Sequence, residues 1–245
     1  VLVLGIDTSD GVSVAVRRGE EVVARADGPD PRRHAETLAP AVAWALAEAG
    51  VRARDLDLVA VGTGPAPFTG LRVGLVTART LARALGVRLV GVCSLDALAR
   101  QAFDDLGDAA PAEVLAVADA RRSEVYSARY RRAAAAPDDD VERLAGPSVS
   151  AAATLRGALD AAAQVPAGVG VAEAIRDGRL AVVGRGARLY ADQLPPTPGG
   201  PLAVDAAVLA RVARHRASRG GETGLEPRYL RRPDVTPPAA RKRAS

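Results

Sequence analysis

The sequence predicts an α/β protein made of two similar lobes, each built on one βββαβα unit. Two observations carry this. Residues 114–130, VLAVADARRSEVYSARY, repeat the layout of the opening VLVLGIDTSDGVSVAVR: an apolar strand ending in aspartate, a short polar turn, then a second strand. Self-similarity of this kind marks an internal duplication, with Asp7 and Asp119 in matching places. The second observation is order. Three strand-like runs come first, and helical and strand-like segments alternate after them. A dinucleotide fold of the doubly wound type needs a helix between its first two strands, where this chain has a hairpin.

Residues 1–7 form an apolar, β-branched strand, and 12–17 and 21–26 are two more, joined by a turn around Gly19. AETLAPAVAWALAEAG reads as a helix stopping at Gly50, with Leu38, Val42, Ala45, Leu46 and Ala49 on one face. A strand at 58–62, a helix from about 69 to 85 ending at Gly86, and a strand at 88–93 follow. After the second hairpin come a weaker strand near 141–145, a helix at 151–164, a strand at 180–184 and a helix at 186–193. Residues 132–140 and 195–201 are loops. The expected organisation is a first lobe at 1–100 and a second at 101–204. A helix at 205–218 is expected to pack back on the first lobe, ahead of a basic Pro/Arg-rich tail at 219–245.

Apolar residues make up 48% of the chain and aromatics only 3%, so alanine, valine and leucine must fill the core. No apolar run reaches the ~20 residues of a membrane span. The opening VLVLGID has no basic leader and reads as a strand, not a signal peptide. With the single cysteine, Cys93, inside an apolar run, the expectation is a soluble cytoplasmic protein. The basic surplus is local: 205–245 holds ten Lys/Arg against four Asp/Glu.

Chemistry-bearing motifs are few. His34, His215 and Cys93 lie too far apart for metal-ligand spacing, and no metal site is expected. There is no G-x-S-x-G elbow. Asp7 and Asp119, at strand ends, are candidates either for magnesium or for capping their own turns through backbone amides. His34 begins a helix, where a surface or capping role is expected. The loop GTGPAPFTGLRVG at 62–74 resembles a phosphate cradle but lacks Gly-Lys-Ser/Thr, and the only lysine of the chain is Lys242. Thr69 is placed to cap the helix that follows.

In that helix Gly70, Gly74, Ala78 and Ala82 recur every four residues. Such a ladder admits a close backbone, either the protein's own sheet or a partner helix. On the preceding helix Ala41 and Trp44 lie off the core stripe, and a tryptophan there suits an interface anchor or burial under the last helix. Together Ala41, Trp44, Gly70, Gly74, Ala78 and Ala82 are the expected partner surface, and Gly74→Leu is expected to abolish pairing in a folded protein.

Several stretches resemble the TsaB (YeaZ) family of tRNA-modification proteins: LGIDTS at 4–9, RHAETLAP at 33–40, the long run AVGTGPAPFTGLRVG…CSLDALA at 60–99, ADARRSEVYSARY at 118–130 and PRYLRRPD at 227–234. Departures are Ala66-Pro67, where the family has Gly-Ser, and Ala35, where it has serine. The resemblance implies two ribonuclease-H-like lobes of the actin/Hsp70/sugar-kinase (ASKHA) superfamily. It also implies a vestigial nucleotide site at Asp7, Thr8 and Ser9, no catalysis, no metal and no cofactor. The implied partners are a TsaD-type threonylcarbamoyl transferase bound through the first lobe and a TsaE-type ATPase, with tRNA contacted indirectly and a homodimer as the state without a partner. The alternatives are a glycoprotease-like peptidase, a phosphotransferase of the same superfamily, or an RNA-binding module that uses the basic C-terminal region.

Overall fold

The computed structural model describes residues 1–28, 33–107, 111–133, 140–161, 171–220 and 224–231. The first lobe holds β1 (Leu2–Asp7), β2 (Val12–Arg18), β3 (Glu21–Gly28), α1 (His34–Glu48), β4 (Leu58–Gly62), α2 (Phe68–Leu85) and β5 (Arg88–Val92). Helix α3 (Ser94–Asp105) leads to the second lobe: β6 (Glu113–Arg121), β7 (Glu124–Arg132), β8 (Val141–Ala151), α4 (Ala152–Ala161), α5 (Val171–Arg176), β9 (Leu180–Val183) and α6 (Arg185–Leu189). Helix α7 (Ala206–Ser218) follows.

The sheets run β3-β2-β1-β4-β5 and β8-β7-β6-β9. In each, the leading strand pairs antiparallel with the next strand and parallel with a later one: β1 with β2 and β4, β6 with β7 and β9. The duplication expected from the sequence is thus a duplication of pairing, with the second copy one strand shorter.

Strand alternation sorts the apolar side chains into layers. Leu4 and Ile6 of β1, with Val59 and Val61 of β4, face α1 and α2. Leu115, Val117 and Val182 form the outer layer of the second lobe with α4–α6. The intervening residues, Val3, Ala60, Val114, Ala116 and Ala181, turn inward to a core filled by α3 and α7. Both sheets therefore share one interior. At its closest point a Cβ on Gly5 of β1 would stand 2.3 Å from the Ala206 carbonyl oxygen of α7, so glycine is required there.

Charge also bridges the lobes. Asp96, in the first turn of α3, is buried and accepts the Tyr130 hydroxyl of β7 at 2.9 Å, the Arg143 guanidinium of β8 at 2.5 Å and Arg216 of α7 at 3.0 Å. Arg216 also forks onto Asp140 at 2.6 and 2.8 Å. Burial alone would raise the Asp96 carboxyl, but Arg216 and Arg143 outweigh it and hold the group below the ordinary carboxylate range. Nearby Cys93 has its thiol pushed up to about 12 by burial, so it stays protonated and packs as a small apolar group.

Several expectations change. Helix α3 was not expected, and a lobe boundary at residue 100 falls inside it, because α3 belongs to the shared interior. Strand β8 runs through Ala151, well past the expected 145, and α6 is one short turn. The expected helix 151–164 beyond residue 161, the loop at 134–139 and the tail at 232–245 lie outside the described residues. Residues 224–231 form an extended strap across the first lobe. The Arg228 amide donates to the Thr63 carbonyl at 2.9 Å, and Arg231 reaches the Ala120 carbonyl of the second lobe at 2.8 Å.

Asp96→Ala leaves two arginines facing each other without their common carboxylate. It should cost about 3–5 kcal/mol in a urea melt at pH 7. Because the folded-state pKa of Asp96 is depressed, its contribution is present above the ordinary carboxylate pKa and fades as pH falls below it. The gap between variant and parent should therefore narrow in acid.

Candidate functional site

A cleft of ≈320 Å³ opens where the β1–β2 turn, the start of α2 and the β6–β7 turn meet; Ser9, Asp10, His34, Phe68, Asp119 and Arg121 are among its walls. Asp7 lies just beneath it. Its Oδ1 accepts the Ser9 amide at 2.8 Å and the Ser9 hydroxyl at 2.5 Å, and its Oδ2 accepts the Ser94 hydroxyl from α3 at 2.7 Å. Burial pushes the Asp7 carboxyl up, with the Ser9 and Ser94 hydrogen bonds opposing. Asp119 makes the equivalent turn bond, accepting the Arg121 amide at 2.8 Å, and pairs with the Arg121 guanidinium at 3.1 Å. Both strand-end aspartates thus cap their own turns. Asp10 is also raised, by burial first, against its 3.0 Å pairing with Arg185. Among the described residues no group of three or more His, Cys, Asp or Glu stands together as a metal cluster.

The glycine-rich loop at 62–67 is built inward. The Thr63 amide donates to the Val92 carbonyl at 2.8 Å, the Gly64 amide to the Ser94 hydroxyl at 3.2 Å, and the Gly64 carbonyl accepts the Ser94 amide at 2.8 Å. The Thr63 and Gly64 amides are thus spent on the fold and are not available to a phosphate. Helix α2 is N-capped by Pro67 without a side-chain bond. Thr69 lies exposed within the first turn, so the expected threonine cap is absent: proline starts the helix by its fixed φ.

The small-residue ladder also turns inward. Gly70, Gly74, Ala78 and Ala82 are all buried. A Cβ on Gly74 would lie 2.3 Å from the Thr8 hydroxyl, and one on Gly70 would lie 2.8 Å from the His34 ring. The Thr8 hydroxyl donates to the Gly70 carbonyl at 2.9 Å. The ladder admits the protein's own β1–β2 turn and the first residue of α1, and these four residues present no free partner surface. His34 is correspondingly a wall of the cleft and not a surface cap. Thr8, not singled out by the ladder, is the residue that explains it.

The exposed small residues stand instead on α1. Ala35, Ala39, Ala43 and Ala47 follow one another every four residues along its solvent side. Trp44 is 51% exposed. It stands two turns beyond Thr37, which packs on Gly28 of β3, so it lies on the β3 flank of α1. Helix α7 is on the opposite face of the sheet and does not cover it. Ala41 is half-buried against the core.

Two measurements check this geometry. Gly74→Ala should destabilise by about 1–3 kcal/mol through overpacking against Thr8, so Gly74→Leu is expected to unfold the lobe and not to report on pairing. The parent should lose stability as pH rises from the ordinary carboxylate pKa through the raised pKa of Asp7. Asp7→Asn removes that titration, so its melting temperature should change less than the parent's between pH 4 and pH 7, while the loss of an acceptor for the Ser9 and Ser94 donors lowers its stability at pH 4.

Comparison with known proteins places this arrangement. A family model described as TsaD, tRNA N6-adenosine threonylcarbamoyltransferase, matches residues 21–181. An uncharacterized protein of Mycobacterium tuberculosis is 44% identical over 154 residues, 62% of this chain and 65% of that one. The tRNA threonylcarbamoyladenosine biosynthesis protein TsaB of Escherichia coli is 36% identical over 131 residues, 53% of this chain and 55% of that protein. The chain thus spans less than two thirds of the length of these curated relatives. A crystal structure from Pseudomonas aeruginosa, a protein with similarity to the peptidase YeaZ, superposes with a TM-score of 0.73 at 28% identity, covering 94% of this chain and 99% of that one. The two-lobed α/β architecture is shared with that YeaZ-like structure, and the chain belongs to the TsaD family, in its TsaB (YeaZ) group.

Proposed function

We propose that the protein serves tRNA threonylcarbamoyladenosine formation as a supporting subunit, pairing with a TsaD-type transferase and acting with a TsaE-type ATPase. The observation that carries this reading is the use of the cleft residues. Ser9, Ser94, Thr8 and Asp119 each bond to their own turns or to neighbouring elements, so the groups that would do chemistry are engaged in holding the lobe together. Family membership supplies the pathway, and E. coli TsaB is named for it. In this reading the turn at Asp7, Thr8 and Ser9 is a remnant of a nucleotide site, and α1 offers the docking face. Its alanine ladder lets a partner helix approach towards the ~8 Å end of helix spacings, and Trp44 is the anchor. A homodimer through the same face is the competing state when the partner is absent.

Light scattering on the chain mixed with the TsaD-type protein of the same organism should give a stable one-to-one complex. Trp44→Ala should weaken it by about 2 kcal/mol or more, roughly thirtyfold in Kd, with an unchanged melting temperature. Two separate species under all nucleotide conditions would overturn the reading and turn attention to peptidase and phosphotransferase assays on the chain alone.

A further inference from the structure

The β6–β7 connection bends where other turns of the chain use glycine. Arg121, Arg122 and Ser123 stand at φ 66°, 52° and 62°, and among the described residues every other position with positive φ is a glycine. The ladder closes with Arg121 opposite Glu124, so Arg122 and Ser123 are the two central residues of the hairpin. Asn-Gly or Asp-Gly is the usual way to place a positive φ at both. Here three residues with a Cβ are held in the left-handed region in succession, a conformation that persists only where the surroundings impose it.

Three contacts impose it. The Asp119 carboxylate accepts the Arg121 amide at 2.8 Å and pairs with its guanidinium at 3.1 Å. From α4, the Ala152 amide donates to the Ser123 carbonyl at 3.3 Å. The last hold comes from the strap. Arg231 donates to the Ala120 carbonyl at 2.8 Å, and its Nε stands 3.6 Å from the Glu124 carboxylate, so one guanidinium grips both ends of the turn. Ala120 sits at the shift in the β6–β7 register, outside the paired positions. The strap itself is seated on the first lobe. Leu225 packs against the core of that lobe, the Tyr229 and Phe68 ring centroids are 4.7 Å apart, and the Arg228 amide bonds to the Thr63 carbonyl.

We propose that Arg231 is a positioning residue that latches this strained turn. Through it, a strap seated on the first lobe sets how the second lobe presents Asp119 and Arg121 to the cleft. Both are cleft walls, and their ion pair is made within the bent turn. With the strap lifted, three residues are freed to return to ordinary φ, and the charged pair moves with them. Strap and turn form one two-state element, docked and bent or lifted and relaxed. Whatever displaces the strap therefore rearranges the charges of the cleft without entering it.

The test is hydrogen exchange of the full chain, read by mass spectrometry. In Arg231→Gln the peptide over 118–126 should exchange about tenfold faster or more, while peptides over β1 and β9 keep the parent rate. Ser123→Gly, which accepts a positive φ freely, should raise the melting temperature by about 2–4 °C. Added to Arg231→Gln, it should return exchange of the turn to the parent rate. Parent-like exchange of the turn in Arg231→Gln overturns the proposal, since Asp119 and α4 then hold it unaided. Equal acceleration in β1 and β9, or a double variant as fast as Arg231→Gln, also overturns it and leaves Arg231 an ordinary structural tie. A Ser123→Gly variant that melts below the parent overturns it without recourse to Arg231, because the turn would then hold no strain to latch.

Discussion

Asp96 receives two guanidinium groups and a phenol in a space closed to water, and those three donors come from β7, β8 and α7. A buried carboxylate is costly unless its bonds are satisfied from several directions. Satisfying this one requires the second sheet, the connecting helix and α7 to be in place together. The apolar side chains obey the same requirement, since the inward residues of both sheets pack on α3 and α7 and have no separate interiors to retreat to. The two lobes are therefore not independent bodies joined by a flexible neck. Their relative position is set by a common core and a common charge, and the strap adds a third tie from Thr63 to Ala120.

That rigidity decides how the cleft and the helical faces are presented. The turn after β1 is held by Asp7 from one side and by the glycines of α2 from the other. Residues that resemble a phosphate-handling motif are consumed in keeping α2 against β1. The α1 face then stands on a platform fixed by these internal contacts, which suits the proposed role of fitting a partner.

Most of the fold was legible in the sequence where side-chain period and burial agree. β1 to β7, α1, α2 and α7 follow from apolar runs and glycine stops. Helix α3 was not legible because Asp96 and Arg100 interrupt its apolar stripe; Asp96 is satisfied by Arg143 and Arg216 from far along the chain, and Arg100 by Asp104 one turn on and by the Asp140 carbonyl. The strap has neither helical nor strand period, and it is held by scattered contacts: backbone hydrogen bonds, arginine tips, the Tyr229 ring, and Leu225 and Leu230 packed against the core. The ladder at Gly70 and Gly74 was visible as spacing, but spacing fixes a face and not what covers it. Only the position of Thr8 tells the inner side from the outer. Trp44 had the opposite problem: its place off the core stripe was evident, but whether α7 covered it depended on which face of the sheet α7 occupies.

The contact of Gly5 with Ala206 joins the middle of the first strand to a helix some two hundred residues later. On a ribosome, β1 emerges long before α7 exists, and one of its faces has nothing to rest on in the interval. Contacts of such sequence separation are slow to form, and an uncovered central strand invites wrong pairing. The chain must therefore complete its first lobe only after synthesis has passed its second, and a nascent chain arrested before residue 206 should be a substrate for holding chaperones.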